Sequence, residues 1–384
     1  MLTFRKAAVL AVFILTAVYL LHASHSATTS RADLAENLKA DFDTSNLPKS
    51  TAIPTTSDSS PRLYPPPRTS ANKKDQNQKP LTEVVTKTLR EQLQYQFPYD
   101  RAAKFPAYIW QTWKFTPASG EFGETFRPAE ASWSELHPGF VHEVVTDDAA
   151  IYLLKHLYAS VPEVVEAYTS LPMPVMKADF FRYLILLARG GIYTDIDTTA
   201  IRSTTDWIPD EVPRSTIGLI IGIEADPDRA DWKEWYSRRI QFCQWTIQAK
   251  PGHPVLRDIV ATITEDALRM KKKGILKEKK MDKSIVEFTG PAVWTDAVFN
   301  YLNDPTYYKM DKNSKNVTWQ TFTGMESAKK VGDVVVLPIT SFSPGVQQMG
   351  AKEPDDPMAF VKHDFEGTWK PESERIHPER EPQL

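Results

Sequence analysis

The chain has 384 residues, 41% hydrophobic and 25% charged, the proportions of an ordinary folded protein with one large domain or two medium ones. A formal charge of −3 gives no reason to expect nucleic acid as a partner. The single cysteine, Cys243, excludes an intramolecular disulfide.

Arg5-Lys6 precede an apolar run from Ala7 to Leu21. Extended to residues 7–23 it makes a short signal-anchor span, with residues 1–6 left in the cytoplasm by the two charges. The rival reading is a cleaved signal peptide, because small residues follow at Ala23-Ser24 and Ser26-Ala27. Either one delivers the rest of the chain to the secretory lumen. Residues 24–80 are rich in Ser, Thr, Pro, Asn, Asp and Lys, and read as a flexible stem. Leu81, Val85, Leu89, Leu93 and Phe97 then recur every four residues, which predicts an amphipathic helix over 81–98. Its apolar stripe either docks on the globular domain that follows or joins an oligomer or partner.

A globular domain is expected over 104–372, followed by a tail at 373–384. Ala107 to Trp110 and Val141 to Val145 read as strands. Thr146 caps a helix that runs to about Tyr158. A second helix covers roughly 175–188 and is stopped by Gly190-Gly191. Ile192 to Thr194 is a short strand, and Ile217 to Ile223 a strand buried on both faces. Helices are predicted at about 238–249, 254–271 and 293–301, and a last buried strand at 334–337. Alternating strands and helices mean an α/β sheet whose ligands lie beyond the carboxyl ends of its strands. The basic run from Arg269 to Lys283 reads as a solvated helix end, with an anionic surface as the other reading. Asn316-Val317-Thr318 is a candidate N-glycosylation acceptor.

Asp195-Ile196-Asp197 follows the Ile192 strand. In an extended strand, residues two apart share a face, so two carboxylates would stand side by side and repel. A divalent cation relieves that repulsion, and hard oxygen ligands suit Mn²⁺ or Mg²⁺. Asp179 and Arg182 are three apart on a predicted helix and share its face. They form either a local ion pair or a pair that reaches sugar hydroxyls. The D-x-D-x-T string at Asp195 to Thr199 also fits a phosphatase nucleophile and acid, although that motif normally opens a domain.

Asp179, Arg182 and the Gly190-Gly191-x-Tyr193-x-Asp195-x-Asp197 string together resemble the donor site of glycosyltransferase family 32. Phe105 to Lys114, Ser132-Trp133, His137-Pro138-Gly139, Phe242 to Thr246, Thr289 to Thr295, Ser341 to Gly345 and His363 to Lys370 also resemble that family's mannosyltransferases. The resemblance implies a GT-A type, Rossmann-like nucleotide-sugar-binding domain. It implies a GDP-mannose donor, a high-mannose N-glycan acceptor on glycoproteins, and α-1,6 transfer with retention. A Golgi membrane location, the catalytic domain lumenal, comes with it. By the same resemblance Asp195, Asp197 and His363 hold the metal, usually Mn²⁺. Lys370 lies near the diphosphate, and Trp110 stacks on guanine or is a core aromatic. Gly190, Gly191 and Tyr193 shape the donor site. Thr289-Gly290-Pro291 shapes an acceptor or phosphate loop, and Trp294 and Asp296 line the acceptor side. Two alternatives remain at this point: a paralogous α-1,6-mannosyltransferase in a mannan-polymerising complex, and a non-catalytic lumenal subunit.

Overall fold

The computed structural model describes residues 87–210, 212–307 and 316–367. All fall in one compact unit, Asn77–Leu384. The expected anchor, stem and C-terminal tail, residues 81–86 of the expected amphipathic helix, and Lys370 lie outside the described residues. Among the described residues, no helix is long and apolar enough to cross a membrane.

Helix α1, Leu89–Gln96, begins at Thr88, whose side chain caps it in a reciprocal box with Glu91. Strand β1 is Tyr108–Thr112, helix α2 Arg127–Leu136 and strand β2 Val141–Val145. Helices α3, Asp147–Leu157, and α4, Pro162–Ser170, lead into α5, Pro174–Arg189. Strands β3, Gly191–Thr194, β4, Thr198–Ala200, β5, Leu219–Ala225, β6, Gln241–Phe242, and β7, Thr246–Ala249, follow. Helices α6, Pro254–Lys272, α7, Ile285–Phe288, and α8, Pro291–Leu302, come next. Strands β8, Lys329–Val331, and β9, Val334–Leu337, helix α9, Ile339–Phe342, and strand β10, Val361–His363, close the described chain.

The main sheet runs β2-β1-β3-β7-β5-β9-β8, with β6 added on β5. β1 pairs parallel with β2 and β3, and β5 parallel with β9. β7 lies antiparallel between β3 and β5, so those two strands point the same way. The result is a mixed α/β fold on a mainly parallel sheet. Leu184, Leu187, Ile221, Ile247, Ile259 and Ile263 fill one side of it. Ile109, Ile192, Ile220, Val335 and Phe342 fill the other. Each side removes a continuous apolar surface from water, which drives the layers together.

The helix expected over 238–249 is instead β6 and β7. Thr246-Ile247-Gln248-Ala249 fills the gap between β3 and β5, and ladder pairing there outweighs local preference. Helix α1 takes the docking reading. Arg90 bonds Asp258 at 2.7 Å, Glu265 at 2.8 Å and Thr262 at 3.0 Å, all on α6. The basic run is a solvated helix end: Arg269 pairs with Asp266 and Asp282, and Lys283 with Asp266.

Candidate functional site

The turn from α5 into β3 sets the site. Gly190 ends the helix at φ 64° and Gly191 follows at φ 96°. A Cβ on Gly190 would stand 2.6 Å from the Pro251 ring, and one on Gly191 2.6 Å from the Tyr108 carbonyl. Only glycine permits this approach, so the pair locks α5 and β3 against β1. They position the strand.

Asp195 and Asp197 do not share an extended strand. They sit in a turn between β3 and β4, where Thr198 donates to the Asp195 carbonyl through its amide at 3.2 Å and its hydroxyl at 2.6 Å. The turn still brings the carboxylates together. β10 pairs with β4 so that His363 lies opposite Thr198. His363 Nε2 comes 3.3 Å from Asp197 Oδ1. One ligand atom each from Asp195, Asp197 and His363 lies within 4.8 Å of the others. Two carboxylates and an imidazole in that space fit a divalent cation. Trp245 stacks on the His363 ring at 4.7 Å between centroids and fixes its plane. The exit strand is held in turn by α2: Trp133 Nε1 donates to the Thr198 carbonyl, and Ser132 Oγ accepts from the Ala200 amide.

Burial works against both charges of the D-x-D pair, with different results. Asp195 stays above the usual carboxylate range, because burial and Asp197 outweigh Arg182. Asp197 falls below it, because His363 and the Glu366 amide outweigh its burial. A cation bound between the two carboxylates would relieve the repulsion between them.

Asp179 and Arg182 form the expected i,i+3 pair at 2.9 Å, but inside the protein. Their side chains are 3% and 5% exposed. Asp179 Oδ1 also accepts from Gln244, and Oδ2 from Thr289. Arg182 donates to the Gln244 carbonyl at 2.9 Å and lies 3.4 Å from Asp195 Oδ1. Burial lifts the Asp179 carboxyl to about 6 even beside a guanidinium. With three donors on it, the ionised pair is the state the geometry favours. These two residues therefore brace Asp195 and do not reach into open space for a sugar.

Other expectations change for the same reason. Trp110 is a core aromatic: it is 7% exposed, stacks on Tyr108, and donates to the Gly190 carbonyl at 2.9 Å. It has no free face for a base. Tyr193 is fully buried and donates to Asp195 Oδ1 at 2.9 Å, so it orients a ligand. Trp294 is buried, stacks on Tyr183 and donates to the Cys243 carbonyl. It belongs to the core, not to an acceptor wall. Thr289 holds Asp179, Gly290 caps α8 and Pro291 is its first residue. Asp296 is bound to Arg238, which also holds Glu287. Asn316 is exposed.

Sequence reasoning missed Glu224 and Gln244. Gln244 joins Asp179, Arg182 and Tyr183 through its carbonyl and amide groups. Glu224 closes β5 at the same sheet edge as Asp195. An acid at the end of an otherwise apolar run, Ile220 to Ala225, was the one available signal.

Residues 123–213 match the family described as glycosyltransferase sugar-binding region containing DXD motif. The chain is 49% identical to the initiation-specific alpha-1,6-mannosyltransferase of Candida albicans, covering 74% of this chain and 77% of that one. It is 35% identical to the protein of the same name from Saccharomyces cerevisiae, covering 75% and 82%. The putative glycosyltransferase HOC1 of Saccharomyces cerevisiae is 42% identical, covering 74% and 70%. A solved structure, PaToxG Glycosyltransferase, overlaps at TM-score 0.34 with 15% identity over 57% of this chain and 76% of that one, too slight a likeness to argue from. Set beside the convergent D-x-D pair, these relationships show that the chain belongs to glycosyltransferase family 32.

Proposed function

We propose that the chain transfers mannose from GDP-mannose, in α-1,6 linkage and with retention, onto the core of high-mannose N-glycans, starting an outer chain. Relatives 35% to 49% identical over about three quarters of the chain carry the name α-1,6-mannosyltransferase, and this chain is accordingly a mannosyltransferase that forms α-1,6 bonds. Two relatives from different fungi carry the same initiation-specific name. The observation that carries the reading is the meeting of Asp195, Asp197 and His363 at the carboxyl edge of the sheet. That placement, on a mainly parallel sheet, supports the GT-A assignment. In this reading residues 7–23 anchor the chain in the Golgi membrane, 24–80 form the stem, and the catalytic part is lumenal. Asn316 is then a glycosylation acceptor.

The residues divide the work. Asp195, Asp197 and His363 hold the metal, Mn²⁺ in this reading because imidazole is in the set. When bound, the cation supplies Lewis-acid charge against the departing diphosphate. Arg182 and Tyr193 fix Asp195, while His363 and the Glu366 amide fix Asp197. Lys370 adds a point charge near the diphosphate. The α-linked donor and α-linked product require retention. Front-face substitution through an oxocarbenium-like transition state achieves this, with the leaving phosphate accepting the proton of the incoming hydroxyl. Trapping a covalent mannosyl-enzyme would overturn that route.

The full chain, given GDP-mannose, Mn²⁺ and a panel of glycans, tests the proposal. An α-1,6 product on the core glycan is expected, and no transfer from GDP-mannose to any glycan would contradict it. Identity to a second, differently named yeast glycosyltransferase keeps one other reading in view, a paralogue that extends mannan. Product confined to pre-extended mannan chains would favour that reading.

A further inference from the structure

Strand β5 ends beside the site with a carboxylate that the reaction outlined above does not use. Ile223 pairs with Phe242 and Ala225 with Gln241, so two steps along β5 match one along β6. Glu224 is the extra residue of that bulge. Bulges re-aim the side chain they carry and are over-represented next to active sites. β3 and β5 point the same way across β7, which puts Glu224 and Asp195 on one sheet edge. The charged groups acting on Glu224 are His363, Arg182 and Asp179, the surroundings of the metal ligands, and the Gln241 side chain bonds to it. Its Oε2 is shut away from solvent and has no hydrogen-bond partner. Burial lifts this carboxyl to about 7.

An acceptor without a donor is costly, and Glu224, unlike Asp179, is only half-buried as a residue, so its retention points to a ligand that brings the donor. Asp179 cannot fill that role, because both of its oxygens are taken. A diphosphate offers only acceptors and negative charge, and a carboxylate repels it. A pyranose bonded to that diphosphate carries several hydroxyl donors. We propose that Glu224 binds a hydroxyl of the sugar being transferred, and so positions that sugar against the leaving group. The proposal rests on the donor reading above, and it moves sugar recognition from Asp179 and Arg182 to Glu224.

The test measures binding of GDP and of GDP-mannose, each with Mn²⁺, to the full chain as wild type, Glu224→Gln and Glu224→Ala, by titration calorimetry. GDP affinity is expected to agree within about 2-fold across the three proteins. GDP-mannose affinity is expected to fall about 10- to 100-fold in Glu224→Ala, the size of a hydrogen bond to a charged group, and less in the isosteric Glu224→Gln. Unchanged melting temperatures show that both variants fold. Equal losses for GDP and GDP-mannose would make Glu224 a nucleotide contact and overturn the proposal. So would no loss for either ligand. Formation of β-mannosyl azide by Glu224→Ala in added azide would also overturn it, in favour of a covalent role. A wild type that binds neither ligand would sink the donor reading itself, and this proposal with it.

Discussion

Asp179 and Asp195 stand on either side of Arg182 and meet opposite surroundings. Asp179 is sealed, with every oxygen partnered by Arg182, Gln244 or Thr289. Asp195 is partly exposed, and beyond Arg182 and Tyr193 it faces Asp197 and His363. One acid is finished within the fold, and the other is left with unresolved like charge. Spacing in the chain suggested a ligand pair at Asp195 and left Asp179 open between a local ion pair and a sugar contact. The difference shows that a short-range acid-base pair is scaffold once its partners are complete, and a site where they are not.

The largest effect that would break this division is on turnover. Asp195→Ala or Asp197→Ala is expected to lower activity at least about 1000-fold, because a metal's charge is worth several kcal/mol in the transition state. The far-ultraviolet dichroism and melting temperature should stay at the wild-type values. Unfolding of either variant would turn a ligand pair into a structural one. Asp179→Ala should behave in the opposite way. It leaves Arg182 with Asp195 as its one carboxylate and takes the acceptor from Gln244 and Thr289, and is expected to cost about 3 kcal/mol in chemical denaturation. Wild-type stability there would mean that the sealed side is not scaffold.

The sealed side extends through Gln111, which donates to the Asp195 carbonyl at 3.1 Å and whose Oε1 accepts from His142 Nε2 at 2.9 Å. Burial lowers the His142 value to about 4 from 6.5. Between those values the unfolded chain binds more protons, so this residue's contribution is complete above pH 6.5 and is lost as pH falls to about 4. Wild type should therefore lose about 3 kcal/mol more than His142→Gln over that interval. Parallel stability-pH curves for the two proteins would refute it. The smallest effect is expected at the docked helix. Arg90→Ala removes half-exposed contacts to α6 and should cost about 1 kcal/mol, with activity unchanged. A change in oligomeric state instead would revive an assembly role for that helix.

Much of this was legible in the chain. Thr146 caps its helix as expected, Gly190-Gly191 stops α5, and Val334 to Leu337 is the strand its apolar run predicts. These signals are local: a cap needs one side chain, and a positive φ with no room for a Cβ needs a glycine. The elements that failed are set by distant partners. Four residues of β7 alternate too briefly to outweigh the helix-favouring residues around them, and only their place between β3 and β5 makes them a strand. His363 comes to the metal set because β10 pairs with β4, across 160 residues of chain that spacing cannot read. Resemblance supplied that ligand, while Trp110 and Trp294 show where aromatic residues in a matching segment are core instead. Glu224 showed in the chain only as an acid ending an apolar run, because its importance lies in a bulge and an unpartnered oxygen that spacing cannot read.

The account stands on Asp195, Asp197 and His363 gripping one divalent cation. Titrating Mn²⁺ into the purified chain in the presence of GDP, with paramagnetic resonance as the readout, tests this most directly. One tightly held ion per chain is expected in the wild type, and its loss in Asp197→Ala and His363→Ala. Undiminished binding in both variants, or none in the wild type, would contradict it.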